Sequence, residues 1–197
     1  MENTVSRTIS NHQLADLLLI AKKRLAYCKF ISSFPENNGF KHFSPSVNID
    51  AFYKSVYNVC FYEALLITST LLDKDTRVIS FWNRQDLVSA KKEKLNVITE
   101  EFKSLGLKTI RDQLVGHMDI SNQNNNYPYS RIRGIISKTL VKSLSDVLIK
   151  SIEFFREYMK ECGNPYSDEY FNTTDSYNEI QEVMEKARPQ MTNEPVI

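Results

Sequence analysis

Scarcity of chain-breaking residues constrains this sequence most: it has five glycines and six prolines in 197 residues. Glycine and proline punctuate short strands and turns, so a chain poor in both favours long helices. No segment shows sustained apolar–polar alternation, the mark of a half-buried strand, and no internal repeat is visible. The breaks that exist are clustered in "FPENNGF" with "SPSV", then "NNNYPYS", then "GNP". Between them, apolar residues recur at helical spacing.

A first helix is predicted over 13–33, with Leu14, Leu17, Leu18, Ala21, Leu25 and Cys28 on one face and lysines on the other. A second, over 49–72, is apolar nearly all round (Phe52, Val56, Val59, Cys60, Phe61, Leu65, Leu66, Ile67, Leu71), the pattern of a helix buried at the centre of a bundle. "DKDTRVISFWNR" interrupts it. A strongly charged third helix spans 85–105 and stops at Gly106. A short fourth covers 108–115, and a long amphipathic fifth covers 132–160, stopped by Gly163, Asn164 and Pro165. The expected fold class is all-α: an antiparallel bundle of four to five helices over 13–163, followed by an acidic, loosely packed C-terminal tail, 164–197. Within that tail, "YNEIQEVMEKA" carries Ile180, Val183, Met184 and Ala187 at the spacing of a short helix.

The length suits one domain with a real core, and no apolar run approaches a membrane span. Cys28, Cys60 and Cys162 are odd in number and far apart, so neither a disulfide framework nor metal-ligand spacing appears. Cys28 and Cys60 fall inside apolar helical patterns and are expected to be buried thiols. A cytoplasmic protein without membrane contact and without a cofactor is expected. The formal charge of +1 hides an asymmetry: from Glu161 onward, eight acids face two bases, a net −6, which leaves +7 on residues 1–160. A basic body suits a polyanionic partner such as nucleic acid; the alternative is the ordinary fluctuation of surface charge along a chain. An acidic tail lying over that body would compete with such a partner.

Chemistry concentrates in "KTIRDQLVGHMD", which holds Arg111, Asp112, His117 and Asp119. Six residues at about 100° each leave Arg111 and His117 roughly 120° apart on a continuous helix. A left-handed turn at Gly116, just past a helix end near Val115, would let His117 swing back toward Arg111. Histidine titrates near neutrality and can pass protons. Arginine presents a planar cationic fork matched to phosphate oxygens. Asp112 or Asp119 can orient the imidazole, and an RNA 2′-hydroxyl can then attack its own phosphate. An alternative is that His117 caps the helix and Arg111 pairs with Asp112 or a nearby acid.

"IRDQLVGHMD" resembles the signature of the HEPN superfamily: an arginine, often followed by Asn or Asp, with a histidine a few residues on. "EALLITSTLLDKDTRVISFWN", in which an apolar helix ends in Leu-Asp, resembles the AbiU-like abortive-infection branch. That branch's motif, R-D-K-x-x-A-H-x-D, is matched by Arg111, Asp112, His117 and Asp119, while Gln113 and Gly116 replace its lysine and alanine. The resemblance covers roughly residues 13–160. It implies a helical bundle that dimerises with the motifs of two subunits meeting in a basic cleft. It also implies metal-independent RNase activity of the toxin–antitoxin or phage-defence kind, with an antitoxin protein as a further partner. Arg111 would contact the scissile phosphate and His117 would do acid–base work. Some members only bind, so a catalytically inactive, dimeric binding or regulatory protein is the alternative. A subgroup carries a modifiable tyrosine two positions after the histidine; this chain has Asp119 there and departs from that pattern.

Further residues bear on the same reading. Glu63 sits on an apolar stripe and needs a partner, either Arg111, His117, a tyrosine or the helix edge. Tyr127 and Tyr129 alternate with Arg131 and Arg133, a mixture suited to stacking on single-stranded RNA and contacting its phosphates, or to an ordinary solvated loop. Trp82 reads as a packing anchor. His12 and His42 lie in polar stretches with no evident partner.

Overall fold

The computed structural model describes residues 10–33, 49–84, 86–116, 136–174, 178 and 182, with the backbone alone at 33, 49–55 and 113–116. Among the described residues the chain is all-helical: α1 (Asn11–Ser33), α2 (Ile49–Leu71), α3 (Ser89–Ser104), α4 (Leu107–Gly116) and α5 (Lys138–Glu161), with single 3-10 turns at Phe81–Asn83 and Glu169–Phe171. None of these helices is long and apolar enough to cross a membrane. His42, His117, Asp119, Tyr127, Tyr129, Arg131, Arg133 and most of the acidic tail lie outside the described residues.

The helices form a ring in which α1 packs on α2 and α5, α5 on α3, and the short α4 on both α3 and α2. Neighbours along the chain's long helices run antiparallel, as pairs of contacts establish. The Cys28 thiol donates to the Tyr57 carbonyl (3.4 Å), while Arg24 lies 2.5 Å from Glu63. Across α3 and α5, Lys91 meets Glu161 (2.6 Å), Lys94 meets Glu157 (2.8 Å) and Lys150 meets Glu101 (2.6 Å). The core inside the ring is built from Leu14, Leu18, Phe61, Leu65, Leu95, Leu144, Leu148 and Phe155. Cys28 and Cys60 are buried as expected, and burial pushes both thiols' pKa upward, which keeps them unreactive.

Helix ends follow local chemistry. Gly106 (φ +73°) closes α3 and Gly163 (φ +76°) closes α5, both left-handed. At Gly163 the amides of Gly163 and Asn164 turn back to the carbonyls of Lys160 (3.2 Å) and Met159 (3.0 Å), satisfying the last turn. The start of α5 differs from the sequence reading of 132. Ile136 and Ser137 are not helical, and the Ser137 hydroxyl accepts from the Leu140 amide (3.2 Å) as an N-cap. Apolar spacing continues in phase through Ile132, Ile135 and Ile136, so periodicity alone does not see the cap.

Two expectations about burial are corrected. α2 is not buried all round: Val59 is 62% and Leu66 is 40% exposed, because α2 has packing partners on only part of its circumference. The stretch after Gly163 is not loosely packed either. Phe171 is 2% exposed and joins the core, and Tyr166 and Tyr170 pack beside it. Tyr166 pairs its hydroxyl with His12 Nδ1 (2.9 Å), so that histidine does have a partner. Tyr170 donates to Asp16 Oδ1 (2.5 Å); burial and this bond push its hydroxyl up to about 12. Three aromatic side chains thus anchor the first part of an otherwise acidic segment to α1 and α5.

The α2–α3 connection is pinned in the same manner. Arg84 donates to Tyr158 (2.8 Å) and pairs with Asp86 (3.1 Å), and Tyr158 donates to Asp86 in a short bond. The Arg84 bond holds the Asp86 carboxyl below its ordinary pKa. Asn83 ties the turn through its amide to the carbonyls of Asp75 (2.8 Å) and Val78 (2.7 Å). Trp82 packs against the core with Lys74 Nζ 4.4 Å from its ring centre, in keeping with an anchoring role.

The hinge at Gly106 sets the angle between α3 and α4, and a Cβ there would meet nothing within 4 Å. Strain at Gly106→Ala is therefore purely backbone in origin. The substitution is expected to cost about 1–2 kcal/mol in denaturant unfolding. Gly106→Asn should cost less, since asparagine tolerates the left-handed region.

Candidate phosphate-binding site around Arg111

α4 is short, and its seat is set at its first residue. Leu107, fully buried, enters the core directly after the Gly106 turn, and Ile110 packs against the same core one turn later. That fixes the rotation of α4 and turns the adjacent Arg111 toward the C-terminal end of α2. The Arg111 side chain is 24% exposed; its Nη2 lies 3.9 Å from Asp73 Oδ2 and its Nε 3.0 Å from Asp112 Oδ1. The second contact is an ion pair by distance only: the Nε–H is shut off from solvent and finds no hydrogen-bond acceptor. Asp112 is shared with Lys108, 2.6 Å away and one turn back on the same helix face.

Beside Arg111 is a cavity of about 200 Å³, rimmed by Lys74, Lys103, Lys108 and Asp73 over a floor that includes Phe102. Its four cations come from three places: Lys74 in the connection just after α2, Lys103 in the last turn of α3, and Lys108 and Arg111 on α4. Each has a modest partner. Lys103 meets Glu100 (2.7 Å) and Lys74 meets Asn96 (3.2 Å), both on α3 and both exposed. Exposed pairs of this kind contribute only about 0–1 kcal/mol, so a phosphate group that meets several of these cations at once can displace them. The arrangement provides one guanidinium fork and three ammonium groups, with the Asp73 carboxylate beside them, around a space large enough for a phosphate group, a setting suited to anion capture.

Of the residues singled out from sequence, Arg111 and Asp112 are together here. Glu63 is elsewhere: its carboxylate is taken by Arg24 of α1, at 2.5 Å from Nε and 3.3 Å from Nη2. It precedes Asp73 by ten positions, about 15 Å along a helix axis. α4 is helical through Gly116, one residue beyond the expected stop near Val115; His117 is the first residue past it and lies outside the described residues. Sequence reading missed Lys74, Lys103 and Lys108, and it met Asp73 only as the end of the Leu-Asp pattern. No local signal marks these lysines, because each sits on an ordinary charged helix end. Among the described residues, no three His, Cys, Asp or Glu side chains are grouped to hold a metal ion.

Since Glu63 belongs to the α1–α2 seam, Glu63→Gln is expected to leave phosphate or RNA binding unchanged. It should lower stability by about 1 kcal/mol or less, as for other half-exposed pairs. Paired urea melts and binding isotherms check this; a binding loss without a stability loss would return Glu63 to the site. No family model, curated protein or solved structure matches this chain.

Proposed function

We propose that this chain is a HEPN-like, metal-independent endoribonuclease of the toxin or phage-defence kind, acting in the cytoplasm on single-stranded RNA. The observation that carries the reading is the setting of Arg111: a partly buried guanidinium held at a cavity rim among three lysines, six residues before the only histidine of its motif. Arg111 contacts the non-bridging oxygens of the scissile phosphate and stabilises the charge that grows there. His117 takes the proton from the 2′-hydroxyl, whose oxygen closes on phosphorus. The bond from phosphorus to the 5′-oxygen breaks, and that oxygen takes up the proton the imidazolium returns, leaving a 2′,3′-cyclic phosphate, a 5′-hydroxyl and a neutral His117. Lys74, Lys103 and Lys108 hold neighbouring phosphates. Asp73 and Asp112 orient Arg111, Asp119 the imidazole, and Tyr127, Tyr129, Arg131 and Arg133 contact flanking nucleotides.

A second reading has its own support. Arg111 already lies between two carboxylates, Asp73 and Asp112, which suits a dimeric binding or regulatory module that does not cut. Cleavage separates the two. Under the first reading, single-stranded RNA is cut in excess chelator, products end in a 2′,3′-cyclic phosphate, and 2′-O-methyl RNA resists. His117→Ala should lose on the order of 10²–10⁴ in rate while still folded, and Arg111→Lys should lose most activity because a point charge does not replace a planar fork. Binding without cutting favours the second reading; activity that survives both substitutions removes these residues from the chemistry.

Both readings expect a symmetric homodimer, since a single Arg–His pair is half of a composite cleft. The exposed Val59 and Leu66, one above the other on α2, offer an apolar strip for self-association. Light scattering at micromolar concentration is expected to give twice the chain mass. A monomer throughout that range would count against a shared cleft.

A further inference from the structure

We propose that a cavity on the seam between α1 and α5 binds a small aliphatic carboxylate, with its anionic head on Lys22, Lys29 and Ser145 and its apolar body along Leu25, Leu148 and Ile149. The cavity measures about 330 Å³, at the small end of the range for ligand sites. Its lining carries two cations and no acid. On α1, positions 22, 25 and 29 lie on one face at helical spacing, and on α5 positions 145, 148 and 149 do the same. Where the two faces meet, a basic side stands against an apolar wall.

The polar groups point to an anion. Ser145 is 5% exposed, and its hydroxyl has no hydrogen-bond partner. Ser151, on the same helix, donates to the Val147 carbonyl (2.9 Å); Ser145 makes no such bond. A buried hydroxyl left unpaired is costly, and this one lines the cavity, where an occupant can satisfy it. The exposed Lys29 ammonium has no carboxylate partner among the described residues. Lys22 donates to the Phe171 carbonyl (2.5 Å), a neutral acceptor. Burial, and then repulsion from Lys29 and Arg156, hold the Lys22 ammonium below its ordinary pKa against an opposing pull from Asp168. An anion between the two lysines relieves that repulsion.

The surroundings narrow the class of ligand. An adjoining cavity of about 410 Å³ shares Lys22 and Ile149, but Glu153, Asp168 and Glu169 line it and its Arg156 is already paired with Asp168. An anionic head is therefore favoured on the Lys29 side. Two ammonium groups and one hydroxyl match the two oxygens of a carboxylate. The rest of the lining is largely apolar, and Ile149, 45% exposed, gains cover from a hydrocarbon body that a bare phosphate lacks. This cavity shares no lining residue with the one beside Arg111, and the inference does not rest on the ribonuclease reading.

Titration calorimetry on the full chain tests it with butanoate, hexanoate and octanoate, and with octan-1-ol and inorganic phosphate as controls. Affinity is expected to rise about threefold to fourfold per added methylene, with both controls about tenfold or more weaker than octanoate. Lys29→Met keeps an apolar stem; it should weaken octanoate about tenfold and leave Tm unchanged. Ser145→Ala should also weaken octanoate, yet raise Tm by about 2–4 °C, because it removes an unpaired buried hydroxyl. Ala26→Leu, which fills the cavity, should abolish binding. The proposal is overturned by an absence of saturable octanoate binding, by affinity that does not grow with chain length, or by phosphate that binds as tightly as octanoate. Binding that Lys29→Met and Ser145→Ala both leave unchanged would overturn it too, since the site would then lie elsewhere. Should Ala26→Leu not fold, Lys29→Met, at an exposed position, decides.

Discussion

The apolar stripe of α5 is the constraint around which the other helices are arranged. It is a 24-residue helix, about 36 Å long, and it buries Val141, Leu144, Val147, Leu148, Ile152, Phe154, Phe155 and Met159. Each such side chain contributes on the order of 1.5–3 kcal/mol when taken from water. No single neighbour is wide enough to cover the stripe. α1 takes one flank and α3 the other, and the 3-10 turn carrying Phe171 fills the end that remains. α2 then packs on α1, and α4 closes the ring between α2 and α3.

Polar contacts refine this arrangement more than they drive it. The Lys91, Lys94 and Lys150 pairs lie along the α3–α5 seam in antiparallel register. Most are exposed and individually weak, yet a shifted register would leave the nearly buried Lys91 without its carboxylates, which costs far more than the pair contributes. The Tyr158, Asp86 and Arg84 cluster does the same for the α2–α3 connection. Thr68, Thr99 and Ser151 are buried at no such cost, because each hydroxyl donates to a carbonyl one turn back in its own helix.

The setting of Arg111 is a by-product of this packing. The ring needs a short closing helix, and Gly106 provides the reversal that lets one follow α3 at once. Burying Leu107 and Ile110 leaves the next position, 111, turned toward the end of α2, where Asp73 stands. Lysines at three helix ends are brought to one cavity by the same closure. A cluster assembled in this way depends on the angle between α3 and α4 as much as on the identity of its residues.

Much of the architecture was legible in the chain itself. Helical periodicity and the lack of glycine and proline determine an all-α fold, and Gly106 and Gly163 mark two helix ends because only glycine takes a left-handed turn without strain. Arg111 and Asp112 stand out in the sequence, through their motif, as candidates for chemistry. Local pattern could not say that Glu63 serves Arg24, that Val59 and Leu66 face outward, or that Tyr166 and Phe171 fold an acidic segment back onto α1. Those outcomes depend on which helices become neighbours, and neighbours are chosen by burying the whole apolar surface at once. The same reason hides the basic cavity: Lys74, Lys103 and Lys108 are unremarkable along the chain and form a site only when tertiary packing brings three helix ends to one place.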